Sequence, residues 1–311
     1  MKVEKKYQGT IVPVIAPLTA KYQLDEGAVE KIFAHLYRNA ASPFILGTTG
    51  ESASFPTRYK ENYLKAATSL KEGDKKLYVG ISSNILEESV SFAKRCFDLG
   101  VDAVAATLPT YYHLSEDQMR KYFIQLADLI NGPLIIYNIP ATTHMSIPVS
   151  LIEELSQHPN IVGTKDSERS EKRLDESLNL WKNRSDFSHF IGWAGKSAHA
   201  LINGSDGLIP SSGNVTPAIY YEMCKAVEAG DTELAFHYQH QSDMVGQLYQ
   251  NERTLGESLS ALKVLMSDLD LCQTHMMPPL HALSSQEESD LRKAFHELIN
   301  KEKITVNLEL C

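Results

Sequence analysis

Short apolar runs recur along this chain, and between them apolar residues fall three and four positions apart. The runs are TIVPVI (10–15), PFILGTT (43–49), KLYVGIS (76–82), DAVAATLP (102–109), LIIYNIP (134–140), IVGTK (161–165), HFIGWA (189–194) and DGLIPSS (206–212). Each is nearly continuous in apolar character, as expected for strands of a parallel sheet covered on both faces. The intervening segments carry helical spacing. In LDEGAVEKIFAHLYRNA, Val29, Ile32, Phe33 and Leu36 share one face, and Asp25 is placed to cap the first turn. In LSEDQMRKYFIQLADLI, Ser115 and Gln118 fit a capping box, while Met119, Phe123, Leu126 and Leu129 form a stripe. A helical pattern follows each of the first seven strands, so the chain is predicted to build successive right-handed βαβ units. Eight strands in such a series define an α/β fold, a closed (β/α)8 TIM barrel over residues 1–230. An open doubly wound sheet is the competing arrangement, but it would lack this even run of eight.

After Pro217 the strand signal ends. PAIYYEMCKAVEAG, DTELAFHYQHQSDMVGQLYQ, LGESLSALKVLMSDL and SSQEESDLRKAFHELI all read as helices. The first is expected to close the barrel. The others, within residues 231–311, are expected to form a C-terminal helical extension packed on it, since no low-complexity linker intervenes.

Composition narrows the function classes. Of 311 residues, 43% are hydrophobic and 22% charged, which is globular, and the net charge of −9 argues against a nucleic-acid partner. No stretch approaches the length of a membrane span. Cys96, Cys224, Cys272 and Cys311 form no CxxC pair and no metal-finger spacing. With no apolar run suited to an export signal near Met1, they are expected to be reduced thiols in a cytoplasmic protein. The histidines show no clustering of metal ligands at strand ends, because His35, His237 and His296 fall within helical segments. A phosphate loop in GWAGKS would need glycine at position 190, which is Phe190.

The candidate chemistry begins at Lys165, placed where the sixth strand ends. Catalytic groups of such barrels come from the C-terminal ends of strands. Alternation puts Ile161, Gly163 and Lys165 on one face, and if that face is inward, Gly163 leaves space beneath the lysine. Above an apolar floor, desolvation would pull the amine down from its ordinary pKa of about 10.4. A neutral amine can attack a ketone to form a Schiff base. Tyr137, in YNIP on the neighbouring strand, is placed to carry protons, although a core aromatic would also fit there. GTTGES (47–52) offers hydroxyls and backbone amides to a carboxylate, and LPTYYHLS carries the adjacent Tyr111 and Tyr112.

Taken together, GTTGES, the tyrosine pair, YNIP and the G-x-K of strand six resemble the dihydrodipicolinate synthase / N-acetylneuraminate lyase family of pyruvate-dependent class I aldolases. The resemblance covers nearly the whole chain. It implies that Lys165 is the Schiff-base lysine and Tyr137 the proton-relay tyrosine. Thr48 would continue the relay, and Thr49 with the Gly50 amide would hold the pyruvate carboxylate. Tyr112 matches a tyrosine that the synthases lend across a subunit interface, and Ile209 a backbone position near the bound keto acid. No metal or organic cofactor is implied, only an imine with pyruvate or another 2-oxo acid. A homotetramer, a dimer of dimers, is the implied assembly.

Departures from the family pattern fall on the second substrate. Thr142 stands where the synthases carry an arginine, Ala194 and Gly195 where the sialate lyases carry an acidic pair, and His144 where glycine is preferred. They point to a 2-keto-3-deoxy sugar acid. Thr142, Thr143, His144, Ser167 and Lys196 are candidates to contact it. The alternatives are 4-hydroxy-tetrahydrodipicolinate synthase, N-acetylneuraminate lyase, an imine-forming dehydratase or deaminase, and a non-catalytic barrel that senses a keto acid.

Overall fold

In the computed structural model, which describes residues 4–307, eight parallel strands close into one barrel in sequence order. The strands are β1 (Gly9–Pro13), β2 (Ser42–Ile45), β3 (Tyr78–Gly80), β4 (Ala103–Ala106), β5 (Leu134–Asn138), β6 (Ile161–Asp166), β7 (Ser188–Ile191) and β8 (Gly207–Leu208). Closure is made by β1 pairing with β8, Gly9 opposite Gly207. A Cβ on Gly207 would stand 2.3 Å from the Gly9 carbonyl oxygen, so the seam admits only glycine there.

Helices alternate with the strands: α1 (Glu26–Arg38), α2 (Thr57–Ser69), α3 (Leu86–Asp98), α4 (Glu116–Ile130), α5 (Pro140–Thr143), α6 (Val149–Leu155), α7 (Glu171–Trp181) and α8 (Ser197–Ile202). The remaining helices are α9 (Pro217–Glu228), α10 (Thr232–Gln250), α11 (Leu255–Asp268) and α12 (Ser285–Glu302). The predicted caps form: Asp25 accepts from the Ala28 amide, and Ser115 and Gln118 make the capping box of α4. The stripe on α4 turns inward through Ile130, whereas Leu129 is exposed.

The barrel interior is filled by Tyr7, Ile11, Phe44, Tyr78, Ala103, Ala105, Ile135, Phe190 and Ile209. A second layer lies between strands and helices, and Tyr249, Leu262, Leu265 and Phe295 of α10, α11 and α12 join it beside Ile45 and Val79. Helix α9 packs on β1 and α8. Several strands end sooner than their apolar runs. Leu46, just past β2, adopts a left-handed φ of 56°, which turns the chain before Thr48 and Thr49. Cys311 lies outside the described residues.

Two buried ion pairs tie distant parts of the chain together. At the N-terminal end of the barrel, Lys5 Nζ donates to the carbonyls of Trp181 and Phe187 and to the Asp206 carboxylate at 2.8 Å. The second pair links the turn after β2 to α11: Lys263 Nζ lies 2.5 Å from Glu51 Oε1, both side chains fully buried. Lys263 also donates to the His275 carbonyl, and Glu51 Oε2 accepts from the Met277 amide. Removing one partner leaves a buried charge alone. Lys263→Ala is therefore expected to cost about 3–5 kcal/mol of stability. A urea midpoint displaced by less than about 1 kcal/mol, the range of an exposed pair, would contradict it.

Candidate active site

Tyr137 and Lys165 stand directly opposite one another in the β5–β6 ladder, one residue before each strand ends. Both point to the barrel interior near its C-terminal mouth. Lys165 Nζ lies 3.8 Å from the centre of the Tyr137 ring and 5.0 Å from that of Phe44. The lysine is only 3% exposed. Burial pushes its pKa below the ordinary lysine value, opposed by the Tyr137 oxygen. Burial also works against ionisation of the Tyr137 phenol. The Lys165 charge and hydrogen bonds with Thr48, Lys165 and Ser167 outweigh it and hold that pKa below the usual tyrosine value. An amine pushed toward neutrality beside a phenol pushed toward ionisation forms a pair between which a proton can move.

Gly163 does not act as a space beneath the lysine. A Cβ there would meet the Ser188 carbonyl oxygen at 2.6 Å, so this glycine lets β6 approach β7. Thr48 Oγ1 lies 3.3 Å from the Tyr137 hydroxyl, which continues the chain Lys165–Tyr137–Thr48. In the same turn, the Gly50 amide donates to the Gly47 carbonyl and the Glu51 amide to that of Thr48. Among the described residues, the amides of Thr48 and Thr49 have no hydrogen-bond partner. The amides open to a ligand are thus those of the threonines, and the expectation for Gly50 is corrected: its amide is used within the turn, and Gly50 lines neither cavity at the mouth. Its missing Cβ instead admits the Val14 carbonyl oxygen, which would lie 2.9 Å away.

The mouth opens into a cavity of about 910 Å³. Its floor is made by Lys165, Tyr137, Thr48, Thr49 and Ile209, and its polar wall includes Ser167, Asp243, Gln247, Asn251 and Arg253. A smaller cavity of about 500 Å³ meets the same floor at Thr48 and Tyr137 and is lined by Thr142.

Three expected contacts are not there. Thr143 is buried, its hydroxyl donating to the Ile139 and Met145 carbonyls. His144 is exposed at a φ of 57°, the left-handed cap of α5, and lines neither cavity. That φ explains a preference for glycine at this position. Lys196 is drawn away by Glu171, 2.5 Å from its Nζ. Tyr112 stacks edge-on against Tyr111, is 73% exposed in the single chain, and lines neither cavity.

Behind Lys165 lies a network that the sequence reading did not anticipate. Asp166 Oδ2 accepts from Arg173 Nε at 2.6 Å, and Asp166 Oδ1 accepts from Asn138 and from the Glu168 amide. It fixes the ends of β5 and β6 to each other. Cys96 and Cys272 thiols are held well above the ordinary range by burial. Among the described residues, no three His, Cys, Asp or Glu side chains gather as a metal site, and no helix is long and apolar enough to cross a membrane.

A closed (β/α)8 barrel with a buried amine and a phenol at its mouth defines the site, and comparison with known proteins gives the family. The sequence pattern of the dihydrodipicolinate synthetase family matches residues 6–298. A putative 2-dehydro-3-deoxy-D-gluconate aldolase of Escherichia coli (strain K12), YagE, is 26% identical over 301 residues, 94% of this chain and 97% of that protein. A 4-hydroxy-tetrahydrodipicolinate synthase of Acidiphilium cryptum is 26% identical over 281 residues, 90% of this chain and 96% of its own length. The crystal structure of YagE with pyruvate superposes with a TM-score of 0.89 at 24% identity, covering 96% of this chain and 99% of that one. The chain belongs to the dihydrodipicolinate synthetase family. It is an aldolase-type carbon–carbon lyase of that family, whose members work through a pyruvate Schiff base without a metal cofactor.

The Asp166–Arg173 pair generates a prediction with a definite sign. Burial raises the Asp166 pKa, offset in part by Arg173. Arg173→Leu removes that offset and raises it further. A carboxyl group with a raised folded-state pKa favours folding at low pH and loses that contribution as pH rises through the folded value. The variant should therefore lose most stability, about 3–5 kcal/mol, at neutral pH, and less as pH falls toward the ordinary carboxylate range. Urea midpoints at neutral pH and near pH 4 measure it. A loss independent of pH would show that Arg173 acts only by packing.

Proposed function

We propose that this protein cleaves a 2-keto-3-deoxy sugar acid to pyruvate and an aldehyde, and runs the reverse condensation, through an imine on Lys165. The observation that carries the reading is the Lys165 amine, buried against the Tyr137 ring and opening onto a large cavity with a polar far wall.

In this reading, Thr49 and the amides of Thr48 and Thr49 hold the substrate carboxylate. Lys165 Nζ adds to C2. Tyr137, relayed through Thr48, protonates the departing C2 oxygen, which leaves as water. The protonated imine then accepts the electron pair of the C3–C4 bond while the C4 hydroxyl proton is taken up, giving the aldehyde and an enamine. Protonation at C3 and addition of water release pyruvate and the free amine. Ile209 and Ser167 border the keto acid. Tyr112 and Tyr111, exposed here, would be covered in a dimer of dimers.

The choice of substrate rests on charge. A synthase aldehyde carries a carboxylate, and position 142 offers it a threonine hydroxyl that already donates to the Ile139 carbonyl. Relatives named for sugar-acid cleavage support the reading, among them a probable 2-dehydro-3-deoxy-D-pentonate aldolase, YjhH, of Escherichia coli (strain K12), 27% identical over 289 residues.

Borohydride reduction in the presence of pyruvate should add the mass of a reduced pyruvate adduct to Lys165, and Lys165→Ala should abolish both the adduct and turnover. No label on Lys165 would remove the imine from the mechanism. Tyr137→Phe should still be trapped but turn over roughly 10²–10⁴-fold more slowly. Because Tyr137 holds the Lys165 pKa up against burial, its loss should also move the acid limb of the trapping rate to lower pH. A limb that moves to higher pH would refute the pairing. A panel of 2-keto-3-deoxy sugar acids, followed by pyruvate release, tests the substrate. Loss of water or ammonia without pyruvate would instead identify a dehydratase or deaminase.

A further inference from the structure

Helix α10 borders the mouth of the barrel and brings Asp243 to the wall of the large cavity. The carboxylate is held from behind. Gln239 Nε2 donates to Asp243 Oδ1 at 2.8 Å and to the Ala194 carbonyl at 2.9 Å, while Gln239 Oε1 accepts from the Ala198 amide. Every polar position of that amide group is thereby bound to α8, to the turn before it, or to Asp243. The second carboxylate oxygen, Oδ2, has no hydrogen-bond or ion-pair partner among the described residues.

Beside Asp243, the turn after β7 lines the cavity with Trp193, Ala194 and Gly195. A Cβ on Gly195 would lie 3.7 Å from Asp243 Oδ1 and 3.3 Å from Trp193 Nε1. One turn further along α10, Gly246 also lines the cavity, and a Cβ there would meet nothing within 4 Å. The helix thus presents one fixed carboxylate beside the open space at Gly246, facing a loop whose side chain nearest Gly195 is the Trp193 indole. A carboxylate accepts hydrogen bonds from hydroxyl groups and repels another carboxylate in a site with restricted water. Specificity built this way combines attraction for one partner with repulsion of the other.

We infer that Asp243, oriented by Gln239, selects a neutral, hydroxylated aldehyde half for this enzyme and disfavours an anionic one. The inference rests on the aldolase reading and adds to it the residue that sets the second substrate. Asp243 is a specificity residue, placed by α10 rather than by any barrel strand.

The test compares full-length wild type with Asp243→Asn, which keeps an oxygen to accept from Gln239. Each is assayed for condensation of pyruvate with D-glyceraldehyde, with acetaldehyde and with succinic semialdehyde. The expected result is a fall of about 10- to 100-fold in the glyceraldehyde-to-acetaldehyde ratio of kcat/KM, the worth of a hydrogen bond to a charged group. The succinic semialdehyde-to-acetaldehyde ratio should rise. An unchanged glyceraldehyde ratio, or equal losses with all three aldehydes, overturns the inference. Borohydride trapping of wild type separates the two levels. If Lys165 is labelled and wild type condenses aldehydes but the ratios do not move, only the role of Asp243 fails; if Lys165 is not labelled, the aldolase reading fails first.

Discussion

Withdrawal of water from one amine governs this structure. Taking an ammonium out of water costs several kcal/mol, and in proteins the cost is usually met by a carboxylate. Lys5 and Lys263 follow that rule, each buried against an acidic partner and backbone carbonyls. Lys165 does not: among the described residues no carboxylate is paired with it, and it meets the ring and oxygen of Tyr137 and the face of Phe44. A ring face returns only about 0.5–2 kcal/mol to a cation, and burial holds the amine below the ordinary lysine pKa. The three buried lysines therefore differ in their partners: Lys5 and Lys263 each meet a carboxylate, and Lys165 meets a phenol.

The barrel supplies what that amine needs. The β5–β6 register puts a phenol directly across from it, and a left-handed Leu46 turns the chain so that Thr48 reaches the phenol. These groups sit on strands whose spacing is fixed by glycines at Gly163 and Gly207, where any side chain would strike a neighbouring carbonyl. Chemistry on the floor belongs to strands and to one tight turn. The far wall of the cavity belongs to α10 and the segment after it.

The distinction also explains which features were legible in the sequence. Strands and helix caps follow from periodicity and local chemistry, and they stand as expected; the expected face of β6 is corrected, because an irregularity at the start of the strand sends Ile161 to the layer under the helices and Val162 toward the interior. Lys165 and Tyr137 could be placed because they lie in the regular part of the β5–β6 ladder, beyond its irregularity. Thr143, His144 and Lys196 could not, because a loop side chain chooses among partners that only the folded chain brings near: carbonyls of its own turn for Thr143, Glu171 for Lys196. Leu129 and Ile130 differ by one position, less than helical spacing resolves. Lys263 was available to the same reasoning that singled out Lys165, since a lysine within the apolar run SALKVLM asks what has neutralised it. Its partner, Glu51, was hidden because nothing local connects the two. Asp243 and Gln239 lie four apart on a helix, but the sequence does not say that this face borders the mouth.

The Glu51–Lys263 bridge also has a consequence for the order in which the molecule matures. A ribosome makes the threonine turn first, and the Met277 amide that secures Glu51 follows 226 residues later. A nascent barrel with all eight strands in place would still hold Glu51 without its ion-pair partner. The buried charge of Glu51 is thus matched only when α11 docks on the barrel.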